Sequence, residues 1–438
     1  IYIYQIMKNK VQRHFSLFKT NKLLLLGAIT VLVCSSNALA QNNRIKLVSD
    51  NFDFAKRQMV HMLENIPQGE AKMPHSINGK GNTSCRSIYW WTSGFFPGIL
   101  WYINEYTGDK AFESFAKKWT EKLEPVKTFK GNHDIGFMMY CSFGNAYRLT
   151  QNEKYKDILI QSAYSLATRF NPQVGTIKSW DSWRSWENKH VFKYPVIIDN
   201  MMNLELLFWA SKATGDPSFR NIAISHAEKT MKYQIRKDGS SYHLACYDPE
   251  TGNFIKGETS QGYSNESTWS RGQGWGIYGF TLCYRETKDP RFLKTAQRMA
   301  DYYINHPNLP SDKIPWWDFD THRPGFIPGK FSKTNKYIQN YRDTSAASVT
   351  ASALLELSSY VKDDKKKIYT ETALQILTSL SSPEYRAEEG KNGNFILKHS
   401  TGAIPHGSEV DVPLIYADYY FLEALLRYNR MINNKPIL

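Results

Sequence analysis

The chain has 438 residues, 22% of them charged and 14% aromatic, and a formal net charge of +14. That is ample apolar material for one large core or two ordinary ones, which excludes a disordered or low-complexity chain. The positive charge is scattered, its one block being Lys365-Lys366-Lys367, and no nucleic-acid-binding motif accompanies it. Nucleic acid is therefore not the expected partner, and a basic balance better suits a small acidic substrate.

At the N-terminus, Met7 is the expected start. Lys8, Lys10, Arg13, Lys19 and Lys22 precede an apolar stretch from Leu23 to Val33, and Ala38-Leu39-Ala40 follows as a small-residue cleavage site. This is the pattern of a secretory signal, too short for a stable membrane span. The expectation is removal of residues 1–40 after Ala40, leaving one catalytic domain over 41–438, exported to the periplasm with no membrane insertion. Cys34 follows Val33, a poor lipobox, so no lipid anchor is expected. Cys85, Cys141, Cys246 and Cys283 remain beyond it without a Cys-x-x-Cys pair or a His/Cys cluster. Neither a metal, a cofactor nor an obligatory disulfide is expected.

Further along, one short turn recurs: Thr107-Gly-Asp-Lys-Ala-Phe112, Thr150-Gln-Asn-Glu-Lys-Tyr155, Thr214-Gly-Asp-Pro-Ser-Phe219 and Thr287-Lys-Asp-Pro-Arg-Phe292, with a looser copy at Val361-Lys-Asp-Asp364. Each holds turn and cap residues before an aromatic that opens a helix, the signature of stacked helical pairs. Counting back about sixteen residues, some 24 Å of helix, lands on Trp91, Asp134, Asp199, Arg271 and Asp343. A sixth apolar segment begins at Asp411 and has no turn after it. The alternate segments, 47–65, 110–124, 153–170, 217–234, 290–306 and 364–381, are amphipathic and more charged. Apolar helices inside and amphipathic ones outside predict an all-α fold, an (α/α)6 barrel or six-hairpin toroid. No β-rich second domain is expected, only short strand-like pieces such as Ser241–Tyr247 and Phe254–Lys256.

If all inner helices run the same way, their polar starts share one mouth of the toroid. Loops 171–198 and 235–270 would wall it. Asp199 lies between the apolar run Pro195-Val-Ile-Ile198 and an apolar helix. It reads either as a helix N-cap or as a carboxyl whose proton is held by desolvation among Val196, Ile197, Ile198, Met201 and Met202. Asp134, in Gly131-Asn-His133-Asp134-Ile-Gly-Phe137, is the expected second carboxylate of a glycoside-processing pair. Arg271, in Trp269-Ser-Arg271-Gly-Gln-Gly-Trp275, suits a sugar carboxylate held bidentately beside stacking rings. Its alternative is an internal salt bridge.

Taken together, Trp91-Thr-Ser-Gly-Phe-Phe-Pro-Gly98, His133-Asp134-Ile-Gly-Phe137, Ile198-Asp199-Asn200, Trp269 to Trp275, Asp343-Thr-Ser-Ala-Ala347 and Asp411 to Tyr420 resemble the unsaturated glucuronyl hydrolases, glycoside hydrolase family 88, in order along nearly the whole chain. The resemblance implies an (α/α)6 barrel acting on lyase-generated glycosaminoglycan oligosaccharides that end in a 4,5-unsaturated uronic acid. The implied reaction is hydration of the C4=C5 vinyl ether, after which the linkage collapses. Asp199 matches the acid/base and Asp134 the assisting carboxylate. Trp91 matches an aromatic wall, and His133, Trp269, Arg271 and Trp275 match the binding shell, with His243 and Gln261 as polar pocket residues. The segments Lys398 to Gly402 and Pro405 to Ser408 lack the spaced Ser and Lys with which relatives hold sulfated galactosamine, which argues against a strong preference for such fragments. His399, Ser400 and His406 remain either contacts to the second sugar or an ordinary polar loop. The alternatives are an unsaturated rhamnogalacturonyl hydrolase, an inverting glycosidase on saturated sugars, and a non-catalytic glycan-binding protein.

Overall fold

The computed structural model describes residues 2–66, 72–337 and 340–437, without the side chains of 11–13 and 15–40. Residues 1–50 and 51–438 are two compact units. In the first, the backbone is helical from Tyr2, within α1 (Tyr2–Asn65). The side chains of the expected signal segment, Leu23 to Val33 and Ala38 to Ala40, lie outside the described residues. Among the described residues, no helix is long and apolar enough to cross a membrane.

The second unit alternates buried and amphipathic helices. Helix α2 (Phe95–Thr107) turns into α3 (Lys110–Glu121). Next, α4 (Ile135–Met139), a π-turn at Tyr140–Gly144 and α5 (Asn145–Thr150) lead to α6 (Glu153–Ala167). A 3-10 turn at Ile198–Asn203 opens α7 (Leu204–Thr214), which is followed by α8 (Pro217–Tyr233). Then come α9 (Ser270–Thr287) with α10 (Pro290–Asn305), α11 (Thr344–Ser358) with α12 (Asp363–Leu380), and α13 (Ile415–Ile432).

The recurring turn has a physical job at each position. Gly108, Gln151, Gly215 and Lys288 take left-handed φ of 70°, 53°, 78° and 58° and end the inner helix. The next residue, Asp109, Asn152, Asp216 or Asp289, caps the outer helix by accepting a backbone N–H at 2.8–3.0 Å. The looser copy at 361–364 lacks that cap: Lys362 stands at the N-cap with no side-chain bond.

Helix α13 packs on α2 and on α11, α11 on α9, and α9 on the 3-10 turn that opens α7, so the inner ring closes. Helices α3, α8, α10 and α12 flank α2, α7, α9 and α11, and α6 flanks α4 and α5. Residues 51–65 of α1 occupy the remaining outer place. There Phe52 stacks on Tyr106 at 4.2 Å, and Gln58 donates to the carbonyls of Lys391 and Phe395. The structure is the expected (α/α)6 barrel.

It also has more strands than the sequence suggested. Two-residue to six-residue pieces form β1 (Lys72–Ile77) with β2 (Thr83–Ser87), β3 (Phe170–Asn171) with β4 (Thr176–Ile177), and β5 (Trp183–Arg184) with β6 (Val191–Phe192). A three-stranded antiparallel sheet orders β7 (Tyr194–Ile197), β8 (Leu244–Tyr247) and β9 (Phe254–Glu258). The apolar run before Asp199 is therefore a strand, buried on both faces. Val196 packs with Val174 and Ala245 on one face, Ile197 with Trp183 and Leu244 on the other. A run that short and that fully buried shows no period-2 alternation by which to recognise it.

Candidate active site

The starts of the inner helices meet at one end of the ring. Strand β7 holds one side rigidly: the Ile198 N–H donates to the His243 carbonyl at 2.9 Å, just before the chain enters the 3-10 turn. Ile197, not Asp199, is the N-cap of that turn, so the capping alternative for Asp199 does not hold. Asp134 does stand at the N-cap of α4, yet its carboxylate makes no cap bond. Neither carboxyl group is used to cap its helix. Both residues are buried, and Asp199 Oδ2 has no hydrogen-bond partner.

Burial raises both carboxyls. Asp199 is pushed up to about 7, with the Arg271 charge and the Trp275 indole opposing the shift. Asp134 is raised well above the carboxylate range by burial first and by the Asp199 charge second, against Arg169. Enclosure closer than its loop context indicated disfavours the charged form of Asp134, as it does that of Asp199.

His243 is the donor beside them. Its Nδ1 accepts the backbone N–H groups of Ser260 (2.9 Å) and Gln261 (3.2 Å), so the ring hydrogen resides on Nε2. That Nε2 lies 3.7 Å from Asp199 Oδ2, too far for a hydrogen bond. Burial and the Arg271 charge hold the His243 pKa well below its usual value, so the ring is neutral. His133 is likewise neutral, lowered to about 3 by burial, with Nε2 3.3 Å from Asp134 Oδ1. Gln261 reaches the site through its backbone. Trp269 packs its ring on His243 at 4.7 Å.

Arg271 is where the expectation needs correcting. It is fully buried, and its Nη1 donates to Asp343 Oδ2 (2.8 Å), Ser345 Oγ (3.2 Å) and the Thr401 carbonyl (2.6 Å). Its Nη2 donates to the Gly402 carbonyl at 2.7 Å. The internal salt bridge is the alternative that forms, and it spends the Nη1/Nη2 fork on joining α9, α11 and the 400–402 loop. Of its nitrogens, Nε alone has no partner. The guanidinium lies 4.3 Å from the Trp269 ring and 5.2 Å from that of Tyr416.

The aromatic wall is continuous. Trp91 meets Tyr416 at 4.7 Å and Phe137 at 5.5 Å, and Phe137 meets Trp275 at 5.2 Å. All nine residues proposed from the sequence thus lie at or beside this mouth. Ser400 does not: it is buried and bonded to Thr344 at 2.6 Å. His399 pairs with Asp411 at 2.7 Å on the partly exposed rim.

Sequence reasoning missed Arg169, which crosses from the outer layer to donate to the carbonyls of Lys130 and Lys178 and bears on Asp134. It also missed the pair of His75 and Glu409, 2.6 Å apart. Neither has a local signal, since each acts across a loop. Tyr416 stood inside a recognised motif without a role.

Residues 70–283 match the family profile Glycosyl Hydrolase Family 88. The unsaturated glucuronyl hydrolase of Formosa agariphila is 45% identical over 343 residues, 78% of this chain and 80% of that protein. The unsaturated chondroitin disaccharide hydrolase of Streptococcus pyogenes serotype M1 is 34% identical over 77% of this chain and 81% of its own. A crystal structure of an unsaturated glucuronyl hydrolase specific for heparin superposes with a TM-score of 0.80 at 45% identity, covering 88% of this chain and 98% of that one.

Proposed function

The chain belongs to glycoside hydrolase family 88 and is an unsaturated glucuronyl hydrolase, and from that premise we propose that Asp199 is its acid and base. The observation that carries the proposal is a buried carboxyl with a pKa near 7, one oxygen unpartnered, facing a neutral imidazole N–H. The substrate is the non-reducing-end 4,5-unsaturated uronic acid of a lyase-generated glycosaminoglycan fragment.

Protonating carbon requires a neutral acid, and desolvation supplies one at neutral pH. Asp199 gives its proton to C4, and positive charge develops at C5, shared with the ring oxygen. A water oxygen bonds to C5 while its proton passes to the Asp199 carboxylate, which restores the acid. The resulting hemiketal opens by breaking the bond from C5 to the ring oxygen. C1 is then a hemiacetal and expels the neighbouring sugar. Asp134 holds the sugar hydroxyls, and His243 Nε2–H donates to the substrate in the gap it shares with Asp199. Trp91, Trp269 and Trp275 wall the ring, and Arg271 supplies the fixed positive charge behind it.

The basic stretch, apolar run and Ala38-Leu39-Ala40 at the N-terminus support export to the periplasm, with cleavage after Ala40. N-terminal sequencing of the secreted protein tests this, and a chain retaining residues 1–40 contradicts it.

The C4=C5 bond conjugated to the uronate carboxyl absorbs in the ultraviolet, so turnover is read as loss of that band. The parent protein removes it from an unsaturated glucuronyl disaccharide, and Asp199→Asn slows the loss by about 10²- to 10⁴-fold. Full activity in Asp199→Asn refutes the assignment.

A further inference from the structure

A chain of contacts runs from β1 to the Arg271 guanidinium. The Gly402 carbonyl that receives Arg271 Nη2 belongs to a loop whose two sides bond to each other. Ser400 and Val412 exchange N–H···O bonds at 3.0 and 2.9 Å, and the Gly402 N–H donates to the Glu409 carbonyl at 2.7 Å. Glu409 therefore stands opposite the residue that supplies one of the two carbonyls on the guanidinium fork. Its side chain folds back over that residue, since a Cβ on Gly402 would collide with Glu409 Oε2 and Cβ.

His75 anchors the far end. Its Nε2 lies 2.6 Å from Glu409 Oε1 and its Nδ1 3.0 Å from Thr92 Oγ1. His75, on β1, and Thr92, next to Trp91, are both buried. Glu409 has a backbone φ of 56°, in the left-handed region that a residue with a side chain seldom adopts. Such a conformation persists where its surroundings over-determine it. Here the backbone bond from Gly402 and the side-chain bond to His75 do so.

The pair also places a charge at the site. Burial works against the Glu409 carboxylate, yet the His75 bond, then Arg271 and Arg86, hold it below the usual carboxylate range. Arg271 thus answers to three carboxylates: Asp343 in contact at 2.8 Å, with Asp199 and Glu409 acting through space. The groups facing Glu409 are His75 from β1, Arg86 from β2, Arg271 from α9, Tyr416 from α13 and His406 from its own loop. Those facing Asp199 are Asp134, His243, Arg271 and Tyr416.

We propose that Glu409, braced by His75, is a positioning residue for the reaction: it holds the Thr401 and Gly402 carbonyls on the Arg271 fork and offsets part of the guanidinium charge. The proposal rests on Asp199 being the acid. A guanidinium less offset draws Asp199 towards its carboxylate form and removes the proton that C4 needs. Acting through Arg271, Glu409 keeps Asp199 protonated at neutral pH.

The test is the pH profile of kcat/KM for an unsaturated glucuronyl disaccharide in the parent, Glu409→Gln and Glu409→Asp. Glutamine keeps the size of the side chain and an oxygen for His75 but removes the charge, whereas aspartate keeps the charge. The parent's falling limb near pH 7 is expected to move to lower pH in Glu409→Gln by about half a unit or more. Above the limb kcat/KM then drops about threefold or more, and the deficit narrows below it. In Glu409→Asp the limb returns towards the parent's position. A denaturant melt of each variant separates this from unfolding, since fewer folded molecules scale the profile without moving its limb. A limb that stays in place in Glu409→Gln, or that moves as far in Glu409→Asp, overturns the role of Glu409 and leaves Asp199 as the acid. A parent with no falling limb near pH 7 defeats the Asp199 assignment, and this role with it.

Discussion

Asp199 is set by a contest between burial and one cation. Its carboxyl loses solvation on burial, while Arg271, already neutralised in part by Asp343, pulls the other way. Burial wins, and the acid titrates near neutrality. The sign of the pH dependence follows. A general acid works when protonated, so kcat/KM is expected to be full well below pH 7 and to fall as pH rises through about 7. An initial-rate profile checks this, and a profile that rises with pH through the same range contradicts it. The apolar neighbours of Asp199 were legible in the sequence because they are adjacent in the chain. The partners of Arg271 were not. Asp343, Thr401 and Gly402 lie far along the chain, and only the packing of the 400–402 loop onto α11 decides that they, rather than a ligand, take up the guanidinium.

Between elements, the two carboxylates are held in register by one lock. The Asn203 Oδ1 at the end of the 3-10 turn accepts the Phe137 N–H in the first turn of α4 at 2.9 Å. Gly136 makes room for it, since a Cβ there would stand 2.6 Å from Asn203 Cα and Oδ1. Gly136→Ala is therefore expected to push α4 from the turn, cost about 1–3 kcal/mol, and lower kcat more than it raises KM, because Asp134 shifts relative to Asp199. Steady-state kinetics with a denaturant melt check both parts. Unchanged kcat would show that the lock does not set the geometry. At this scale the sequence was informative about helices and poor about strands. The Thr-x-Asp turns announce themselves through a left-handed residue and a cap, each a local requirement. Strand β7 has no such local requirement, and its identity comes from pairing with β8, some fifty residues away.

Across the whole ring, the inner helices run in parallel, which gathers their N-termini at the Asp199 mouth and their C-termini at the other end. Helix dipoles then add, and the mouth that receives an anionic uronate carries the positive ends. The opposite end holds a cavity of about 430 Å³ lined with Arg148, Arg285, Arg427 and Arg430 among carboxylates. Cations at helix C-termini offset the negative ends. Arg285 is central to that network: it donates to Glu205, to Glu286 at 3.0 Å and to Glu356 at 3.0 and 3.1 Å. Arg285→Ala takes from Glu205 its cation, while Glu286 keeps Lys212 and Glu356 keeps Arg427, and is expected to destabilise the fold by about 3 kcal/mol. Thermal unfolding reads the effect, while activity per folded molecule at the far mouth stays near the parent's. A loss under about 1 kcal/mol would mean the network contributes little. The parallel ring was legible from sequence because its repeat is regular. The charged network beneath it was not, since its members are spread over all the inner helices.

In the proposed mechanism water adds to C5 and the glycosidic bond falls apart afterwards. A series of aryl glycosides of unsaturated glucuronic acid, differing only in the acidity of the departing phenol, tests it most directly. Hydration predicts kcat/KM nearly independent of leaving-group acidity, because the bond to the phenol is intact when C4 takes its proton. A steep rise with more acidic phenols would mean direct displacement at the anomeric carbon, and Asp199 would then not be the acid that protonates carbon.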